Sequence, residues 1–242
     1  IANAVGFAIA EAFSKLGAQT ILVDKDETAL KKAVTKLGVG HAYFPIDVTE
    51  TDAADQAMLA AIQNFGGLDI LVSNAGAAHA GPMLSISNDE LRNAFELNFF
   101  SHYSFSTEAA KILKNQNRGG QILFNISKQA VNPGKNFGAY GLPKATTFFL
   151  MRQLALELGS DGIRVNGINA DRIRSGLLTD DFISSRAKSR GVSESEYMAG
   201  NLLNKEVTAE HVADAFTALA CAESTTGHVM TVDGGNIEAS LR

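Results

Sequence analysis

Asn125-Ile126-Ser127-Lys128-Gln129-Ala130-Val131-Asn132-Pro133-Gly134-Lys135-Asn136-Phe137-Gly138-Ala139-Tyr140-Gly141-Leu142-Pro143-Lys144 is the stretch that decides how this chain is read. It leaves an apolar run, 121–126, that reads as a buried strand, and it enters an apolar helical segment continuing to about Leu158. Tyr140 and Lys144 stand four apart, so on a helix they share one face, one turn apart. An ammonium beside a phenol favours the phenolate, and a nearby opposite charge lowers a pKa by about 1–3 units. Tyrosine starts near ~10, so the phenol is brought towards acid–base use near neutral pH. Ser127, at the end of the strand, is placed to hydrogen-bond a substrate oxygen. On an arbitrary helix a Tyr-x-x-x-Lys pair is a solvated surface pair; its position after a strand ending in Ser carries the catalytic reading.

The same alternation extends to both sides. Upstream, short apolar strands at 19–23, 41–46 and 68–72 are separated by helical periodicity over 27–37 and from Thr49 to about Phe65. A long helical stretch opens at Ser87 and runs through Asn98 towards Leu113. Downstream come a strand at 163–168, a helix at 208–220 and a last strand at 228–232. Thr49/Asp52, Ser87/Glu90 and Ser193/Glu196 have capping-box spacing. Strand and helix alternate throughout, which predicts one α/β domain with a parallel sheet covered by helices on both faces.

Composition narrows the function. A net charge of −5 with no long basic run argues against nucleic acid or an anionic membrane as partner. No apolar stretch approaches a membrane span. The single cysteine, Cys221, excludes an intrachain disulfide and suits a reducing cytoplasm. The histidines are scattered and no Cys cluster exists, so no metal site is expected. His79 and His102 have no partner identifiable from spacing and read as structural.

Ligands of parallel sheets bind beyond the carboxyl ends of the strands. Asp24, Asp47, Asn74, Ser127 and the loop after Ile168 lie at such ends. A carboxylate at Asp24 can accept from both ribose hydroxyls of NAD and repel the 2′-phosphate of NADP; alternatively it caps the next helix. Gly6 reads either as the last glycine of a phosphate-binding turn or as a small residue at a helix start. Ala75 and Gly76 leave room for adenine or ribose and Asn74 can tie strands together, unless 73–76 is an ordinary turn. Asn98, among Phe95, Leu97, Phe99 and Phe100, either holds a water chain to Lys144 or satisfies a helix kink. The polar, Ser-rich segment 171–204 reads as a mobile lid over a small, polar, oxygen-rich substrate. Arg172 and Arg174 within it either bind a carboxylate or phosphate, or hold the lid down.

These residues together resemble the short-chain dehydrogenase/reductase family over essentially the full chain. The matching positions are Asp24, Asp47-Val48, Asn74-Ala75-Gly76, Asn98, Ser127, Tyr140-x-x-x-Lys144, Arg164-Val165-Asn166 and Thr226-Gly227 to Asp233-Gly234-Gly235. The resemblance implies a doubly wound, Rossmann-like single domain over 1–242, a nicotinamide cofactor (here NAD) and a homo-oligomer, dimer or tetramer. It implies an Asn–Ser–Tyr–Lys tetrad. Tyr140 is then the acid/base, Ser127 orients the carbonyl or alcohol, Lys144 holds the nicotinamide ribose and lowers the tyrosine pKa, and Asn98 anchors a proton relay. Cofactor contacts are implied at Val5, Gly6, Asp24, Asp47, Val48, Asn74, Ala75, Gly76, Tyr140, Lys144 and Ser175.

Departures from the family pattern are Ala4 in the glycine turn 1–6, Ala170-Asp171 for a Pro-Gly, Ser175 for a Thr, and Pro143 inside the Tyr-x-x-x-Lys turn. The family's first strand, between 19–23 and 68–72 in the sheet, is expected upstream of Ile1. The loops 125–129, 133–135, 140–144 and 169–171 are similar to the dehydrogenase half of bifunctional sugar-phosphate aldolase/dehydrogenases of rhamnose breakdown. That implies lactaldehyde or a similar hydroxy-aldehyde, and fusion or association with an aldolase domain. A second class of function is a non-catalytic dinucleotide-binding redox sensor or regulatory module on the same fold. Intact Ser127, Tyr140 and Lys144 favour the enzyme, and the altered glycine turn favours the sensor.

Overall fold

The structure, a computed structural model, describes residues 4–78, 80–175 and 178–236. In chain order the elements are α1 (Ala4–Lys15), β1 (Ile21–Asp24), α2 (Glu27–Leu37), β2 (Ala42–Pro45), α3 (Ala53–Phe65), β3 (Ile70–Ser73) and α4 (Asn88–Phe95). A five-residue π turn, Glu96–Phe100, joins α4 to α5 (Ser101–Gln116). Then follow β4 (Gly120–Asn125), α6 (Gly138–Leu158), β5 (Ile163–Ala170), α7 (Asp180–Arg190), α8 (Glu194–Met198), α9 (Ala209–Cys221) and β6 (Val229–Val232).

Every strand pairing is parallel, with Ile122 opposite Val165 and Leu71 opposite Ile122 in the centre. Successive side chains of a strand point to opposite faces. In β4, Ile122 and Phe124 therefore enter one core with Ala109 and Leu113 of α5 and Met151 and Leu154 of α6, while Leu123 enters the other. That second core holds Ile9 and Phe13 of α1 and Val212 and Phe216 of α9. Burial on both faces explains why the strand reads as a continuous apolar run rather than as an alternation. The order β3-β4-β5-β6 forms one sheet, and β1-β2 forms a second. Between β1 and β3 lies a cavity of about 500 Å³ lined by Ile9, Leu22, Val23, Ile70, Leu71 and Phe65.

The helix starts follow local chemistry. Ser87 and Glu90 form a reciprocal capping box, with the Glu90 amide donating to Ser87 Oγ at 3.2 Å and the Ser87 amide to Glu90 Oε2 at 2.7 Å. Ser193 and Glu196 do the same. Thr49 and Asp52 do not, contrary to the expectation from spacing. The Asp47 carboxylate takes both the Thr49 amide (3.0 Å) and the Thr49 hydroxyl (2.8 Å), and α3 starts at Ala53 with no side-chain cap from Asp52.

Candidate active site

The strand-to-helix connection after β4 brings three predicted residues to one place. Tyr140 is the third residue of α6, and the phenol hydrogen-bonds the Ser127 hydroxyl. Lys144 follows one turn later, 2% exposed, its Nζ 5.8 Å from the Tyr140 ring centroid. The ammonium donates to the Asn125 carbonyl at 2.9 Å. Pro143, the sixth residue of α6, has no N–H, so the Ala139 carbonyl lacks its usual helical donor just where these side chains project.

The electrostatics differ from the expectation that Lys144 lowers the Tyr140 pKa. Burial pushes the phenol up to about 12, opposed only by the Ser127 hydroxyl bond. Burial also pulls Lys144 down to about 7, although the Asn125 carbonyl favours its charged form. The ammonium is desolvated and aimed at other acceptors, so in this structure it does not offset the cost of burying a phenolate.

Asn98 sits inside the π turn, 1% exposed. Its Nδ2 donates to the carbonyls of Ala94 (3.1 Å) and Ala77 (3.0 Å), and the Ala77 amide donates to its Oδ1 at 3.3 Å. The side chain thus clamps the loop after β3 to the helix. Its own carbonyl receives the Thr147 hydroxyl at 2.7 Å. A Cβ on Gly76 would lie 2.9 Å from Asn98 Oδ1 and 3.6 Å from Lys144 Nζ, so only glycine allows this approach.

His102 is not the partnerless residue its spacing suggests. It is 1% exposed, with Nδ1 2.6 Å from Ser73 Oγ and Nε2 3.4 Å from Lys144 Nζ. Burial, and then the Lys144 charge, holds the imidazole well below its usual range, hence neutral. A proton on Nδ1 satisfies Ser73 and leaves Nε2 to accept from Lys144. Sequence reasoning missed His102 and Thr147. The available signal was that each lies within a turn of a residue already singled out, Asn98 and Lys144. His79 and the first three residues of the glycine turn lie outside the described residues.

A cavity of about 1250 Å³ gathers Val5, Asn74, Gly76, Ser127, Tyr140, Lys144 and Ser175. Gly6, Val48 and Ala75 line instead the cavity between β1 and β3. Asp24 and Asp47 end β1 and follow β2, beyond the lining of either cavity. Asp24 is not the cap of α2; Asp26 is, accepting the Ala29 amide at 2.9 Å. Lys25 pairs with Asp47 at 3.3 Å, and the Thr49 amide is the main cause that holds the Asp47 carboxyl below its ordinary range. Asn74 Oδ1 accepts from Asn125 Nδ2 at 2.8 Å, tying β3 to β4, while its buried Nδ2 has no partner. That orphaned donor and the side-chain-free surface at Gly76 fit a polar, flat group such as a nicotinamide ribose.

The lid segment has a small core of its own, formed by Leu178, Ile183, Ala187, Tyr197 and Met198. Arg172 and Arg174 are both engaged in holding it. Arg172 donates to the carbonyls of Tyr197 (2.8 Å) and Gly200 (3.3 Å), and Arg174 pairs with Glu206 (2.7 Å) and Asp180 (2.9 Å). Asp171, in the place of the family's Pro-Gly, is partly buried, pairs with Lys128 (2.9 Å) and accepts from Asn236 (2.8 Å).

A family model described as enoyl-(acyl carrier protein) reductase matches residues 1–236. The chain belongs to the short-chain dehydrogenase/reductase family. Members of this family are oxidoreductases. The chain is 33% identical over 247 residues to the uncharacterized oxidoreductase YuxG of Bacillus subtilis, covering 97% of itself and 36% of that protein. It therefore spans about a third of that relative's length. L-sorbose reductase of Gluconobacter frateurii, solved with NADPH and L-sorbose, superposes with a TM-score of 0.87 at 27% identity, covering 97% of this chain and 92% of that one. A 3-ketoacyl-(acyl-carrier-protein) reductase of Brucella melitensis, solved with NADH, gives 0.85 at 24% identity over 97% and 94% of the two chains, a likeness of fold. The short-chain dehydrogenase/reductase sheet is thus shared with neighbours that hold either NADH or NADPH.

Proposed function

We propose that this short-chain dehydrogenase/reductase is an NAD-dependent enzyme that moves a hydride between the cofactor and an alcohol or carbonyl of a small, polar substrate. The observation that carries the reading is the convergence of Ser127, Tyr140 and Lys144 on one cavity wall. When bound, the nicotinamide supplies or accepts the hydride. Tyr140 gives or takes the proton at the substrate oxygen, and Ser127 donates to that oxygen. Lys144, Asn74 and Gly76 hold the ribose end of the cofactor, Val5 and Ser175 its nicotinamide side, and Asp24 the adenosine ribose. Asn98 keeps the loop at Gly76 and the start of α5 in register.

The substrate class is a hydroxy-aldehyde, sugar or polyol, with lactaldehyde one example; L-sorbose in the neighbour at 27% identity supports it. The segment 171–204 acts as the lid, and its separate core supports motion as a unit. Exposed Leu142, Phe149 and Leu156 on α6 and Tyr103 on α5 support a homo-oligomer. Association with an aldolase domain rests on the loop likenesses alone. A cytoplasmic location rests on the single, exposed Cys221.

A turnover screen of short hydroxy-aldehydes, sugars and polyols against steroids and long-chain alcohols, with both cofactors, tests the reading. Preference for the apolar compounds, or NAD binding without turnover of any compound, would overturn it. In the same assay Asp24→Ala is expected to weaken NAD by roughly tenfold and to narrow its advantage over NADP, because a carboxylate both accepts from the ribose hydroxyls and repels a 2′-phosphate. Equal affinity of the unmodified protein for the two cofactors would sink the NAD assignment.

A further inference from the structure

The lid contributes a cation that the reaction above does not use. Arg186, on α7, lines the same cavity as Tyr140. Its guanidinium lies 5.8 Å from the Phe137 ring and 5.9 Å from the Phe182 ring, and the two rings meet edge to face at 5.7 Å. Phe137 is the N-cap residue of α6 and its carbonyl accepts the Tyr140 amide at 3.1 Å, so the ring that Arg186 contacts belongs to the turn that carries Tyr140. The two rings satisfy none of its N–H donors. Its Nε is buried and has no partner. Arg190, one turn further along α7, lines the cavity too and stacks on Tyr197 at 5.2 Å.

The charge around this pair is one-sided. The only acidic side chain lining the cavity among the described residues is Asp171, and it is engaged by Lys128 and Arg172. Among the described residues Arg186, Arg190, Lys135 and Arg152 have no carboxylate partner, in a chain whose overall charge is −5. A buried guanidinium donor with no acceptor is costly, and a planar fork of N–H donors matches a carboxylate or phosphate in two parallel bonds.

We propose that the substrate of this site carries an oxyanion, a carboxylate or a phosphate, bound by Arg186 with Arg190 beside it, at the opposite end of the molecule from the carbon Tyr140 serves. This rests on the dehydrogenase reading of the site and selects, among small oxygen-rich compounds, the anionic ones. It also makes the lid the specificity element. Arg186 arrives on α7, so the anion and the lid stabilise each other's position, and closure is coupled to the presence of the charge.

The test uses compounds that share a reacting group and differ in charge: glyceraldehyde, its 3-phosphate, and the carboxylate analogue tartronate semialdehyde. One anionic member is expected to exceed glyceraldehyde in kcat/KM, and which one does so tells phosphate from carboxylate. Arg186→Met keeps the apolar packing on Phe137 and Phe182, and it is expected to lower the anionic-to-neutral ratio of kcat/KM by roughly 10- to 100-fold. Arg186→Lys, which keeps the charge without the fork, should fall between. A ratio that favours glyceraldehyde, or one unchanged in Arg186→Met, overturns the proposal. Calorimetric titration of the protein with glycerol 3-phosphate and with tartronate separates the two readings. Binding weakened tenfold or more in Arg186→Met, with no turnover of any compound, supports the anion site and removes the dehydrogenase reading. Binding that is absent, or indifferent to the substitution, removes the anion site.

Discussion

Tyr140→Phe is expected to fold, to bind NAD with nearly unchanged affinity, and to lose turnover by about 10²–10⁴-fold, the range of a positioned acid or base. The substitution removes one hydroxyl from a residue 8% exposed and keeps the ring that packs beneath Lys144. What disappears is the group proposed to exchange a proton with the substrate oxygen, and Ser127 cannot replace it, since a serine hydroxyl at neutral pH donates a hydrogen bond without releasing its proton. Direction enters through burial. A phenol pushed up to about 12 stays protonated at neutral pH, ready to donate during carbonyl reduction. Alcohol oxidation needs the phenolate and is expected to accelerate as pH rises. Steady-state kinetics in both directions between pH 6 and 10 measure this. Full activity in Tyr140→Phe would sink the assignment, and an oxidation rate falling with pH would refute the raised phenol pKa.

Lys144→Met has two expected effects of opposite sign. Turnover is expected to fall by at least 100-fold, because the proposed ribose contact and the charge near the phenol are both removed. Stability near neutral pH rises. Lys144 is protonated below about 7 in the fold but below its ordinary 10.5 when unfolded. Between those values the unfolded chain binds the extra proton, so the parent gains stability as pH climbs from 7 towards 10 and loses it on the way down. The pKa arithmetic sets the gap at on the order of 5 kcal/mol at most, since each unit is worth about 1.4 kcal/mol. Methionine has no proton to lose. The variant should therefore melt above the parent at pH 7, with the difference shrinking towards pH 10, and parallel melting curves across that range would contradict the burial argument. A buried cation retained at this cost fits a group kept for function rather than stability.

The sheet and the Tyr–Lys pair were legible in the sequence because both depend on short-range geometry. Two-sided burial of β4 writes itself as the run around Ile122-Leu123-Phe124, and four residues on a helix always make one turn. The depth of the site was not legible. Whether Lys144 lowers the Tyr140 pKa depends on how much protein surrounds both, and burial dominates here. The contact between His102 and Lys144 joins positions 42 apart in sequence, across two elements that meet only in the folded state. The lid arginines illustrate the same limit. Arg172 and Arg174 drew notice by following β5 directly, yet backbone carbonyls and carboxylates occupy them. Arg186 and Arg190, inside a polar helix without a clear apolar face, line the cavity with no carboxylate partner among the described residues. The Thr49/Asp52 spacing failed because a third residue, Asp47, competes for the same hydroxyl and amide.

The π turn at Glu96–Phe100 holds one residue more than an α-helical path between α4 and α5 needs. A widened turn of this kind is, in effect, a single-residue insertion whose cost is confined to where it stands. Two of its contributions, the displaced Asn98 carbonyl taken by Thr147 and the offset that brings His102 round to Lys144, belong to the main chain and its phase. Substituting a side chain within 96–100 leaves the path of the main chain in place, so point variants of the turn would pass over it. Deleting the half-exposed Phe100 is instead expected to close the turn to regular helix and return the Asn98 carbonyl to a main-chain donor, while Phe105, Ala109 and Leu113 keep α5 on its core. Such a deletion should yield a folded, nearly inactive protein. Near-parental turnover in it would mean that the extra residue is only tolerated and not used.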